Sequence, residues 1–331
     1  MNKYMLTEDQ LSIQELAKKF ADEVVAATVT DLDRKHEFPL EEVKQCGEMG
    51  FLGICVPEEY GGAGMDHLSD VLVMEQIARH SSSLASIIDA HASLGSTPLL
   101  LAGTEEQKQK YLAPAASGQA LCAFALTEPQ SGSDAGQIRT KAVLDGDEWV
   151  INGSKAFITN STYATTFLVA AKTDMEAKGS RGISIFIVPA GTPGFEVGKP
   201  EEKMSNRSSY SCPLTFTDVR IPKENLLGEL NRGFPLFMKC IDDGRVAISA
   251  VAVGMAQGVL ERAAKYSKER VTFGKPICEN QAIAFKLAEM ATQIDVARAM
   301  LYNSARMSDN GVPYSKEATM TKLFCSEMCV R

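Results

Sequence analysis

No histidine lies beyond residue 91, and the four present (His36, His67, His80 and His91) show no ligand spacing. A zinc centre or a histidine-based nucleophilic site is therefore not expected. The eight cysteines run from Cys46 to Cys329 without a regular spacing and without a CxxC pair. Reduced thiols in a core are expected from that, and no disulfide framework. The phosphate-binding patterns GxGxxG and GxxxxGK[ST] are both missing, so any nucleotide cofactor is held by another device. No apolar run approaches a membrane span, and the opening MNKYMLTEDQLSIQ lacks the hydrophobic centre of a signal peptide. Basic residues are in deficit: 34 Lys and Arg against 42 Asp and Glu leave a net charge of −8. That balance argues against nucleic acid as a partner. Neither nucleic acid nor membrane is expected as a partner, and the expected compartment is the cytoplasm.

What is present is an ordinary globular composition, with 45% hydrophobic and 23% charged residues in 331. The length suits two or three domains. Residues 1–118 read as a helical domain. Thr7 with Gln10 forms a capping box, followed at helical spacing by Ile13, Leu16, Ala17, Phe20 and Val24. The glycines of YGGAG mark a loop, LSDVLVMEQIARH resumes a helix, and Thr104 with Gln107 repeats the box. Residues 119–231 change period. KAVLDGDEWVING is two short runs around Asp145-Gly146, a hairpin signal, and TTFLVAAKT, GISIFIVPA and CPLTFTDVRIP are rich in β-branched and aromatic residues. Residues 232–331 are helical again, with a long, broadly apolar first helix. The expected fold class is α+β multidomain: an N-terminal α-helical domain, a middle antiparallel β domain and a C-terminal helical bundle.

The stretch ALTEPQSGSD, Ala125 to Asp134, concentrates small hydrogen-bonding groups after an apolar run. Two readings stay open on composition. It is either a turn whose Ser and Asp satisfy their own backbone, or a cradle of hydroxyls and amides for an extended polar ligand. RVTFGKP likewise reads as a solvated basic turn or as a phosphate contact, and Asp242 with Arg245 as an exposed i,i+3 ion pair or as a ligand contact.

Taken with VPEEYGGAG, INGSKAFITN, FTDVRIPKENLLGE, DDGR and ERVTFGKPICENQ, in that order along the chain, the sequence resembles the acyl-CoA dehydrogenases. These flavoproteins introduce an α,β double bond into acyl-CoA thioesters. The resemblance implies FAD as cofactor, with Phe124, Leu126 and Thr127 lining it and Ser133 touching both FAD and the pantetheine arm of the substrate. It puts Phe157, Ile158 and Thr159 over the ring face opposite the substrate. Arg270, Thr272 and Phe273, assisted by Gln281, would reach the FAD of a neighbouring subunit. Asp242 and Arg245 would lie along the acyl-CoA. Two departures from the family pattern stand out: Phe157, where many relatives carry Trp, and Gln130-Ser131, where they carry Gly-Ala.

The implied activity is dehydrogenation of a short- or medium-chain acyl-CoA by a homo-oligomer, a tetramer by resemblance, with electrons passed to an electron-transferring flavoprotein. An enoyl-CoA reductase of the same family is the alternative. The chemistry needs a carboxylate to take the α-proton. The family supplies that glutamate in one of two places. At the first stands Gly244, and Asp243 beside it is turned away by roughly 100° around the helix. The second is a loop between the last two helices, and the expected glutamate lies beyond Arg331. No catalytic residue is therefore assigned within the sequence, which is expected to be either an incomplete chain or a short form that binds flavin or acyl-CoA without dehydrogenating it. Phe324, Met328 and Val330 are expected at an exposed bundle edge.

Overall fold

The computed structural model describes residues 4–331. The chain divides into two compact units. One comprises the residues up to Leu32, Asp66–Ser86 and Arg245–Arg331; the other comprises Asp33–Met65 and Ile87–Gly244. In chain order the helices α1 (Glu8–Phe20), α2 (Ala26–Lys35), α3 (Leu40–Glu48), α4 (His67–Ala78), α5 (Ser82–Asp89), α6 (Thr97–Ala102), α7 (Glu105–Gln107) and α8 (Ala113–Ala116) come first. Strands β1 (Cys122–Ala125), β2 (Lys141–Asp145), β3 (Glu148–Thr159), β4 (Thr166–Lys172), β5 (Ile183–Pro189), β6 (Phe195–Val197), β7 (Ser211–Pro222) and β8 (Leu226–Leu227) follow. Helix α9 (Gly233–Glu269), the hairpin β9 (Val271–Thr272) and β10 (Lys275–Pro276), α10 (Gln281–Asp309) and α11 (Ser315–Val330) complete the order.

Both capping boxes form: Thr7 and Thr104 each accept from the backbone of the glutamine three residues on, and each glutamine accepts back. Helix α4 is buried on every side, from Leu68 to Ala78. Its N-terminus is held twice. Asp66 accepts from Ser69 N at 2.8 Å, and the distant Asp309 carboxylate accepts from His67 N and Leu68 N at 2.7 and 3.2 Å. Helix α9 reaches α4 through two glycines. A Cβ on Gly254 would lie 2.3 Å from the Glu75 carbonyl oxygen, and one on Gly258 would lie 2.1 Å from that of Arg79. Backbone cannot step aside as a rotamer can, so Gly258→Ala should cost about 1–3 kcal/mol, measured as a fall in the urea midpoint. An unchanged midpoint would mean that the two helices separate freely.

The second unit is built on an eight-stranded sheet ordered β6-β7-β3-β2-β4-β5-β8, with β1 added on β4. Most pairs are antiparallel, as the sequence suggests, but β1 and β2 each run parallel to β4, so the sheet is mixed. Strands β4 and β5 are buried on both faces, and for that reason read as unbroken apolar runs. One face packs Leu168, Ile185 and Ile187 with Leu99, Leu112 and Phe237, and the other packs Phe167 and Phe186 with Trp149 and Ile151. The β2–β3 hairpin forms with Asp145 opposite Glu148, so its turn residues are Gly146 and Asp147, one place later than expected, with Gly146 at φ +64.

Two helical stretches, Ser82–Ala102 and Gly233–Glu269, do reach the length and hydropathy of a membrane span, contrary to the sequence reading. Of their apolar windows, 67% and 44% are buried inside the fold. All eight cysteines are free thiols. Phe324 and Met328 are half-buried, lining a groove of about 570 Å³ with Val259 and Met290, whereas Val330 is exposed.

Candidate functional site

Strand β1 delivers the chain to ALTEPQSGSD, and its start is anchored by a buried imidazole. The Cys122 N–H donates to His91 Nδ1 at 3.0 Å, so Nε2 carries the proton and donates to the Ala115 carbonyl at 3.2 Å. Burial pushes the His91 pKa down to about 4, which keeps the ring neutral. Beyond Ala125 the loop closes on itself. Glu128 and Ser131 exchange backbone hydrogen bonds at 3.0 Å, and Ser131 Oγ donates to the Asp134 carbonyl at 2.6 Å. The self-satisfied turn is thus realised at Ser131, while Thr127 stays half-buried and Ser133 exposed.

Beneath this loop lies an ion pair. The Lys155 side chain is 0% exposed and that of Glu128 is 2%; Nζ donates to Glu128 Oε1 at 2.8 Å and to the Leu126 carbonyl at 3.0 Å. The carboxylate also accepts from Thr140 N at 3.0 Å, Arg139 N at 2.6 Å and Gln130 Nε2 at 2.6 Å. Burial opposes its charge, but Lys155 and these donors outweigh burial and hold Glu128 below the usual carboxylate range. A depressed carboxylate contributes stability that is present above its unfolded pKa and lost as pH falls through the folded one. Thermal midpoints of the protein should therefore fall as the buffer is taken below pH 4.5, the ordinary glutamate value, and Glu128→Gln should flatten that slope.

Lys155 keeps the inward parity of Trp149 and Ile151, and β3 becomes irregular just beyond it. Its register against β7 shifts between Lys155 and Ile158, a bulge. The Ala156 N–H leaves the ladder and donates to the Thr127 carbonyl at 2.9 Å, joining strand to loop. Phe157 takes φ +60 and stands 64% exposed, while Ile158 packs into the sheet core. Thr159 Oγ1 lies 3.3 Å from Ser211 Oγ. Phe124 is half-buried, its ring edge-on to Phe237 at 4.2 Å, and Leu126 is buried. Within this unit the Ala156–Thr127 bond thus sets Leu126 and Thr127 beside the strand residues leading into Phe157, while Ile158 and Thr159 continue along β3 against β7, Ser133 lies farther along the loop, and Asp242 is half-buried on α9.

The remaining candidates belong to the other unit. Arg245 is half-buried on α9. Arg270 follows that helix directly, and its carbonyl accepts from Ile277 N at 2.9 Å, closing the base of the β9–β10 hairpin. The turn is Phe273 at φ +53 and Gly274 at φ +78, with Phe273 98% exposed. Thr272 is half-exposed, and Gln281 is exposed at the first residue of α10. The hairpin brings Arg270, Thr272 and Phe273 together.

The donor set suits a planar group with polar edges. Within the second unit Phe157 offers an aromatic face, and Thr127, Thr159 and Ser133 offer hydroxyls. Local spacing shows neither the Lys155–Glu128 pair nor the bulge. Their only trace is a lysine standing among strand-forming residues.

Three family descriptions match in order: Acyl-CoA dehydrogenase, N-terminal domain over residues 7–119; middle domain over 123–219; and C-terminal domain over 231–331. The chain belongs to the acyl-CoA dehydrogenase family. Members are flavoprotein oxidoreductases of fatty acid metabolism. Among related acyl-CoA dehydrogenases, the probable acyl-CoA dehydrogenase YngJ of Bacillus subtilis is 46% identical over 328 residues, which are 99% of this chain and 86% of that one. The caffeyl-CoA reductase–Etf complex subunit CarC of Acetobacterium woodii is 44% identical, covering 98% of this chain and 85% of its own. The structure of butyryl-CoA dehydrogenase from Megasphaera elsdenii superposes with a TM-score of 0.96 at 40% identity, covering 99% of this chain and 86% of that one.

Proposed function

We propose that this acyl-CoA dehydrogenase holds FAD and dehydrogenates a short- or medium-chain acyl-CoA between its α and β carbons, in the cytoplasm, passing electrons to an electron-transferring flavoprotein. The observation that carries the reading is the seam where the Ala156 N–H meets the Thr127 carbonyl, with the exposed Phe157 ring beside it. When bound there, FAD supplies an acceptor for the β-hydride. Phe157 covers one face of the ring, and Thr127 and Thr159 offer hydrogen bonds to its polar edge. Ser133 contacts both the cofactor and the pantetheine arm of the substrate. Asp242 and Arg245, one helical turn apart on α9, steer the acyl-CoA. Arg270, Thr272, Phe273 and Gln281 serve the FAD of a second copy, in a tetramer. Gly244 carries no carboxylate, and a Cβ there would already meet Leu94 Cδ2 at 3.2 Å. No residue of this sequence is therefore assigned the α-proton.

The test is optical. Protein purified with FAD should be yellow, and anaerobic butyryl-CoA should bleach its visible band. A yellow protein that no acyl-CoA from four to twelve carbons bleaches would sink the dehydrogenase assignment and leave a binding protein. The caffeyl-CoA reductase relative favours a second reading, reduction of an enoyl-CoA. On that reading dithionite-reduced protein is reoxidised by crotonyl-CoA faster than oxidised protein is bleached by butyryl-CoA.

A further inference from the structure

We infer that the buried Lys155–Glu128 ion pair is the positioning element of the flavin cradle, locking the loop after β1 to the bulge of β3 so that both walls keep one geometry. The inference rests on the cofactor reading above. Lys155 and Glu128 are 27 residues apart, and each is tied to both walls. Lys155 belongs to the strand that carries Phe157, yet its ammonium holds the Leu126 carbonyl at 3.0 Å. Glu128 belongs to the loop, yet its carboxylate holds the backbone amides of Arg139 and Thr140, where the chain enters β2.

Thr127 sits between the two attachment points, with its own carbonyl bonded to Ala156 N at 2.9 Å. Leu126, Thr127 and Glu128 are thus pinned at three successive residues by groups belonging to, or bonded to, a single stretch of β3. A charged pair buried this deeply gives little net stability compared with apolar residues of the same volume. Its distinctive product is geometry, because each member must meet several fixed partners at once. That is what a site needs when it must hold a hydroxyl and an aromatic face within a fraction of an ångström of one another. Lys155 and Glu128 act through Thr127 and Phe157 and are not themselves catalytic.

Removing one charge alone would strand the other, so the informative variant is the double substitution Lys155→Met with Glu128→Gln, made in the full chain. Two measurements are compared with wild type. Without cofactor, hydrogen exchange should show lost protection at the amides of Arg139, Thr140 and Ala156, with protection kept in β4 and β5. With FAD, the dissociation constant should rise at least tenfold. At saturating FAD, the visible circular dichroism and the flavin band position should differ from wild type, a change that weaker binding alone does not produce. If wild type binds FAD and the double variant matches it in affinity and in spectrum at saturation, the positioning role is overturned while the cofactor reading stands. If wild type itself takes up no FAD, the cofactor reading falls, and this inference with it.

Discussion

Arg298→Ala should lower the stability of the protein by about 3–5 kcal/mol. Its partner Glu75 lies in the middle of α4 and is 2% exposed. Arg298 Nε donates to Glu75 Oε1 at 2.9 Å, Arg298 Nη2 donates to Gln257 Oε1 at 2.8 Å, and the Tyr302 hydroxyl donates to Glu75 Oε2 at 2.8 Å. Burial, and then the Glu75 charge, push the Tyr302 phenol above its ordinary range, so it remains a donor. Taking away the guanidinium leaves a carboxylate among apolar side chains with one phenol for company. The penalty is that of an uncompensated buried charge, not of a lost surface pair. Urea denaturation of the single variant measures it. Glu75→Gln combined with Arg298→Met, which removes both charges, should recover most of the loss. A single-variant loss below about 1 kcal/mol would put the pair in the class of exposed ion pairs and refute the argument.

The sequence shows this chain's local structure well and its long-range structure poorly, for reasons visible at particular residues. The capping boxes at Thr7 and Thr104 and the β2–β3 hairpin are encoded within four residues, and all three form. The π-helical turns Ala21–Val25, Ala90–Ser96 and Lys108–Leu112 were not legible, because a single extra residue in a helical turn leaves the hydrophobic period almost unchanged. The site shows the same divide. A strand of period two would put Lys155, Phe157 and Thr159 on one face. The bulge separates them, so that lysine is buried and phenylalanine exposed, against the ordinary preference of each. Motif resemblance located the loop and the strand. The ion pair linking them depends on two residues meeting across the sheet, and no spacing rule covers that. The carboxylate of Asp309 on the N-terminus of α4 is a second case, joining residues more than two hundred positions apart.

FAD at about a thousandfold excess over its dissociation constant should stabilise the folded protein by about 4 kcal/mol, because a ligand that binds only the native state shifts unfolding by mass action. The β9–β10 hairpin makes a sharper form of this expectation. Phe273 is an aromatic side chain held at φ +53 with 98% of its surface in solvent, a conformation that costs about 1–3 kcal/mol relative to glycine. Without a second surface to contact, neither the strain nor the exposure brings the chain any gain. If that surface is another copy's cofactor, the FAD-induced rise in melting temperature should shrink as the protein is diluted toward monomer. Arg270→Gln should remove most of the rise while leaving the cofactor-free melting temperature within experimental error, since Arg270 is exposed. Phe273→Gly should hold or raise the cofactor-free value, by relieving the left-handed strain, and still weaken the response to FAD. These opposite movements cannot come from general damage to the fold. A thermal shift with FAD that ignores protein concentration and survives both substitutions would remove the hairpin from the cofactor site.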